Sequence, residues 1–251
     1  MPPATLLTGL LQVAVAAYAV AWWFAAFRLK WARAPLVLGV GLHLGWMAWR
    51  GFAIGFFPLT NKAESFSAAA LSMALVALVA WNPARGFALT QLTLTLAAGI
   101  AAALFPQELT YPSPLLRTVW YPLHVPLSFL AIATWTAAAA SGLCWWSSGD
   151  RAWLARVDRF ALQGFGLWSA SMICGGVWGV LAWGAYFMWD PKVIWSVILW
   201  FHYAGFVHLR LTPSLQSRPW VRPALACAGL VWMLVAYVGT SFFFGRSSHA
   251  F

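Results

Sequence analysis

Charge is almost absent from this sequence, and that constrains its fold more than any other feature. Of 251 residues only 8% are Asp, Glu, Lys or Arg, whereas 63% are hydrophobic, and mean hydropathy is +0.76. A water-soluble chain of this length cannot cover its surface with so few charges. In lipid each backbone amide must be satisfied within its own segment, which leaves helices of about 20 apolar residues as the simplest spanning unit. Stretches that meet this requirement fall at roughly 4–27, 35–51, 66–82, 87–105, 122–146, 160–182, 193–211 and 221–243. The second to fourth are short or closely spaced, so seven or eight spans are expected. The expected fold class is all-α: a polytopic integral membrane helix bundle of about eight transmembrane helices. No long polar loop or repeat divides it, so residues 1–251 read as a single transmembrane domain.

Net charge is +10. The basic residues lie in short runs between apolar stretches, the pattern that orients a membrane protein rather than one that tracks nucleic acid. No Lys or Arg precedes the first apolar run, and a basic cluster follows it, which marks a retained first span with its N-terminus outside. On that orientation ten of the fifteen Lys and Arg residues fall inside and five outside, namely Arg50, Lys62, Arg117, Lys192 and Arg246. Both termini are then expected on the outer face. The three cysteines, Cys144, Cys174 and Cys227, show no Cys-x-x-Cys spacing and read as small buried hydrophobes.

The five histidines divide by depth. His124 opens the fifth span at its outer end and His249 lies just beyond the eighth, whereas His43, His202 and His208 fall within spans. A polar side chain in hydrocarbon faces the bundle interior and has either a hydrogen-bonding partner or a role. Two outer and three inner imidazoles suit two ligand pairs and one spare, and paired imidazoles hold haem iron from both faces. No Cys, Asp or Glu cluster supplies a tetrahedral zinc site.

Nineteen tryptophans exceed what an interfacial belt alone requires. The densest aromatic stretch is GGVWGVLAWGAYFMWDPKVIW, from Gly175 to Trp195, between the sixth and seventh spans. Trp178, Trp183, Tyr186, Phe187 and Trp189 offer a surface on which a porphyrin would stack. Gly175, Gly176, Gly179 and Gly184 are expected to let something flat approach the backbone. Asp190 is expected either to orient a ligand histidine or to accept a backbone hydrogen bond. Arg50, Arg117, Lys192 and Arg246 are the outer cations within reach of carboxylates.

Five segments in order resemble the system II cytochrome c assembly proteins called CcsA or ResC. WGAYFMWDPK resembles that family's Trp-rich WWD signature. LHVPLSFLAIATWTAAAASGL resembles the segment carrying its first external haem-ligand histidine, which falls on His124, and VGTSFFFGRSSHAF resembles the ending that carries the second, on His249. The stretch from Gly41 through PLTNKAESF resembles the intramembrane histidine, here His43, followed by an Asn-x-x-Glu-Ser element. FVHLR resembles a Leu-His-x-Arg element and points to His208. Depth alone, at about 1.5 Å per residue, slightly prefers His202 to His208 as partner of His43. Two departures stand out: Val193 where relatives commonly carry Glu, and Gly239-Thr240-Ser241 where they carry Gly-Val-Asn.

The resemblance implies haem traffic in a bacterial plasma (inner) membrane. Haem b would bind His43 and His208, then His124 and His249 against Trp178, Trp183, Trp189 and Asp190. There it would be offered to the Cys-x-x-Cys-His motif of an apocytochrome c. A CcsB/ResB-type membrane protein would be the partner, the two together forming a cytochrome c synthase. The alternatives are a CcmC-type haem-delivery protein, which also pairs a Trp-rich segment with histidines, and a non-catalytic membrane regulator or scaffold, for which Val193 is the hint.

Overall fold

The computed structural model describes residues 4–209, 212, 214 and 217–240. His249 and Arg246 lie outside the described residues. Among those described the chain is helical, without strands. The helices are α1 (Ala4–Ala26), α2 (Arg33–Ile54), α3 (Lys62–Val79), α4 (Arg85–Leu104), α5 (Trp120–Ser148), α6 (Ala152–Trp183), α7 (Pro191–Leu209) and α8 (Val221–Leu234), which continues as a π-helical turn, Val235–Gly239. Seven of them, α8 with its turn included, are long and apolar enough to cross a membrane. The other, α2, has 22 residues and carries Arg33 and Arg50. The chain is a multi-pass integral membrane protein.

Side-chain contacts at the helix ends define two faces. On one, the end of α2 meets the start of α3 through Arg50 and Glu64, and Arg50 also holds the residues just after α4. On the same face Tyr121, at the start of α5, donates to the Leu59 carbonyl at 2.6 Å, and Trp178, near the end of α6, donates to the Leu115 carbonyl at 2.9 Å. On the opposite face Arg156 at the start of α6 reaches the Ala80 carbonyl beyond α3 at 2.8 Å, and Arg222 of α8 pairs with Asp158 of α6 at 2.7 Å. Consecutive helices from α2 to α6 therefore run in opposite directions, as in a bundle threaded back and forth through a bilayer.

The centre is α5. Ala131, Ala133 and Ala137–Ala140 are fully buried, and such small residues let neighbouring backbones approach closely where lipid supplies no hydrophobic drive. Around α5 pack α3, α4, α6 and α8. Trp135 stacks on Tyr203 of α7 at 3.8 Å, with ring planes 1° apart. At 29 and 32 residues, α5 and α6 measure about 44 and 48 Å, beyond the roughly 30 Å of hydrocarbon.

Candidate functional site

His124 lies one turn into α5, in half-buried surroundings. Its Nδ1 is 2.8 Å from the backbone carbonyl of Ser171 on α6, with the Ser171 hydroxyl at 3.0 Å. A carbonyl only accepts, so in the neutral ring Nδ1 carries the proton and Nε2 keeps its lone pair. Such a hydrogen bond fixes the tautomer of a metal-ligating histidine. Room for the ring comes from Gly175: a Cβ there would lie 2.6 Å from Nδ1. Something flat does approach the backbone there, and it is the imidazole of the neighbouring helix. Gly184 stops α6 with φ at 75°, a left-handed conformation that favours glycine.

A cavity of about 370 Å³, within the range of small-molecule sites, opens beside His124. Trp178 and Trp183 line it, as do Tyr121 of α5 and Tyr237 of the π turn. The Trp178 indole lies nearly parallel to the His124 ring, at 21° with centroids 6.2 Å apart, and meets Trp183 edge-on at 4.6 Å. Among the described residues Lys62 and Lys192 are the only charged ones in the lining; they stand at the first turns of α3 and α7. The arrangement suits a flat, largely apolar ligand that carries both a metal and acidic groups.

The remaining outer residues divide. Trp189 is 86% exposed, outside the cavity lining, with its ring edge-on to Phe187 at 5.3 Å. Asp190 is buried and accepts the Lys192 N–H at 2.8 Å through Oδ1, capping α7, with Pro191 at the first helical position. Of its two expected roles the structure provides the backbone one. The Trp-rich segment is two-thirds helix: residues 175–183, with Trp178 and Trp183, belong to α6 and 191–195 to α7, and only residues 184–190 form the connection. Arg50 is committed to a buried pair with Glu64 (Nε–Oε1 2.8 Å), and Arg117 Nε reaches the Pro112 carbonyl of its own loop at 3.4 Å. Of the outer cations expected to meet carboxylates, Lys192 lines the cavity; Lys62 joins it unforeseen.

Deeper in the bundle, His43 is fully buried with both ring nitrogens engaged: Nδ1 with the Tyr18 hydroxyl at 3.2 Å and Nε2 with the Ser67 hydroxyl at 2.5 Å. His208 is exposed on the last turn of α7, its Nδ1 donating to the Ala204 carbonyl at 2.8 Å. His202 donates through Nε2 to the Leu225 carbonyl at 2.9 Å, tying α7 to α8. His43 rides on α2, which packs on α1 and α3, whereas α7 packs on α6 and α8. The described contacts bring neither α7 histidine to His43.

An all-helical membrane bundle in which, among the described residues, His124 is held in one tautomer beside a cavity walled by Trp178 and Trp183 has the features of a membrane protein that handles a flat, largely apolar ligand. Comparison with known proteins assigns the family. Residues 59–245 match the family model "Cytochrome C assembly protein", and the chain belongs to that family. The "Cytochrome c biogenesis protein CcsA" of Synechococcus sp. strain CC9902 is 31% identical over 260 residues, covering 85% of this chain and 83% of its own. That of Prochlorococcus marinus strain MIT 9313 is 30% identical over 267 residues, covering 86% and 81%. Among solved structures, "Cytochrome c Heme Lyase CcmF" superposes with a TM-score of 0.71 at 18% identity, over 99% of this chain and 48% of that one. The chain thus shares its fold with about half of that protein.

Proposed function

We propose that this chain takes haem b as its substrate and presents it on the outer face of a bacterial plasma membrane for covalent attachment to apocytochrome c. The observation that carries the reading is the fixed tautomer of His124, whose lone-pair nitrogen belongs to a residue lining the same cavity as Trp178 and Trp183. His124 supplies one axial ligand. His249, nine residues beyond Thr240, is assigned the opposite one on the resemblance. Trp178, nearly parallel to the His124 imidazole, backs that imidazole and meets the porphyrin at its edge, Trp183 is assigned the face of the ring, and Lys62 and Lys192 meet its carboxylates. Trp189 and Asp190 serve the site indirectly, as exposed aromatic surface and as the cap that sets the start of α7. An inner level at His43 and His208 rests on the resemblance alone, since Tyr18 and Ser67 occupy both ring nitrogens of His43.

Haem brings two vinyl groups, and each thiol of a reduced Cys-x-x-Cys-His motif adds its sulfur and its hydrogen across one C=C bond. That addition consumes no oxidant, so the chain's own contribution is orientation and control of iron ligation. A CcsB/ResB-type membrane protein completes the synthase. Chain purified from haem-replete cells should show a Soret band that His124→Ala greatly weakens while yield and helix content hold. Colourless wild-type protein at full yield would overturn the reading.

A further inference from the structure

Arg50 and Glu64 are 2% and 0% exposed, and neither lines the cavity. A pair so deeply buried is weak evidence for stability by itself, because desolvation cancels much of its attraction. What distinguishes this one is what else it holds. The two terminal nitrogens of Arg50 donate to the carbonyls of Gln107 (2.9 Å) and Glu108 (2.8 Å), a fork that a lysine cannot reproduce. Those carbonyls begin the connection, residues 105–119, that crosses the outer face from α4 to α5. Farther along it, the Leu115 carbonyl accepts the Trp178 indole N–H. On the other side of the pair, Glu64 Oε2 accepts the Thr60 N–H at 2.7 Å, and the Thr60 hydroxyl lies 2.8 Å from both Oε2 and the Thr110 carbonyl. The neighbouring Leu59 carbonyl accepts the Tyr121 hydroxyl, and the Tyr121 ring packs on Trp178 with centroids 5.0 Å apart.

Two routes therefore leave the pair and converge on one indole. The first runs through the α4–α5 connection to the Trp178 N–H, the second through Leu59 and Tyr121 to its ring. We propose that Arg50 and Glu64 are positioning residues for the outer pocket, holding Trp178 in register against His124 from two helices whose ion pair does not touch the ligand space. What the pocket holds rests on the haem reading above; the positioning itself does not.

The test is fluorine NMR on the full chain in detergent, labelled with 5-fluorotryptophan. The Trp178 and Trp135 resonances are identified by their loss in Trp178→Phe and Trp135→Phe. Trp135, 14 residues along α5 from Tyr121 and stacked on Tyr203, reports the bundle core. Glu64→Gln removes the charge at constant shape, and Arg50→Lys keeps the charge but loses the fork. Both should shift or broaden the Trp178 line while the Trp135 line stays in place. An unmoved Trp178 line in both variants, with Trp135 undisturbed, overturns the proposal. Should the charge variants displace Trp135 as well, Thr60→Val decides by the same criterion, because it deletes only the hydroxyl link. Absorbance of the same samples separates the two claims. Wild-type chain without haem fails the functional reading, while the fluorine spectra still judge the positioning.

Discussion

His124 depends on a neighbour with no side chain. Because a Cβ at position 175 would sit 2.6 Å from its Nδ1, Gly175→Ala must push the imidazole off the Ser171 carbonyl or open the α5–α6 contact. Overpacking of this kind costs about 1–3 kcal/mol. The expected outcome is a lower midpoint in thermal unfolding together with a weakened Soret band; an unchanged pair of readings would remove Gly175 from the site. At this scale the sequence made His124 and Trp178 legible, because a histidine at the start of a span and tryptophans in excess of a belt both stand out locally. Ser171, Tyr121 and Lys62 did not stand out. Lys62 enters the pocket from a helix distant in sequence, Tyr121 and Ser171 are single residues on the histidine's and the indole's own helices, and no local pattern marks a serine carbonyl as an imidazole's partner. The glycines were visible, but what approaches them was not: which surface comes close to a glycine is a property of packing.

Asp190 belongs to the scale of the helix it begins. Its Oδ1 caps α7 at the Lys192 N–H, so Asp190→Ala should destabilise the bundle by about 1 kcal/mol, whereas Asp190→Asn, which caps as well, should leave stability nearly unchanged. Unfolding midpoints of the two variants separate capping from any need for the negative charge; equal losses in both would show that charge matters. Helix existence was legible from apolar length. Helix ends were not, wherever polar residues continue a helix. The sixth span read as 160–182 is in fact Ala152–Trp183, because Arg156, Asp158 and Arg159 lie inside α6, with Arg156 and Asp158 bonded to neighbouring elements. Similarly α3 starts at Lys62 rather than near residue 66, because Asn61 accepts the Glu64 N–H at 2.9 Å. The π-helical turn at Val235–Gly239, which brings Ala236 and Tyr237 to the pocket lining, has no sequence signature that apolar periodicity can detect.

For the whole molecule, the two-faced arrangement of helix ends agrees with the counted bias of basic residues, since Arg156 and Arg222 are held on the face opposite Arg50 and Lys192. Reporter fusions should place the turn between α1 and α2, with Arg28 and Lys30, in the cytoplasm, and the connection at 105–119 outside. Reporters active in the reverse pattern would invert the pocket and sink the outer-face assignment. Length adds something that hydropathy does not. An upright rod of about 48 Å set in about 30 Å of oil leaves some 18 Å standing among headgroups and water, and less as it tilts. Because Arg156, Asp158 and Arg159 extend α6 at its Ala152 end, that overhang stands on the face opposite the histidine niche, where a collar of charge among the headgroups keeps the rod from sliding along its own axis.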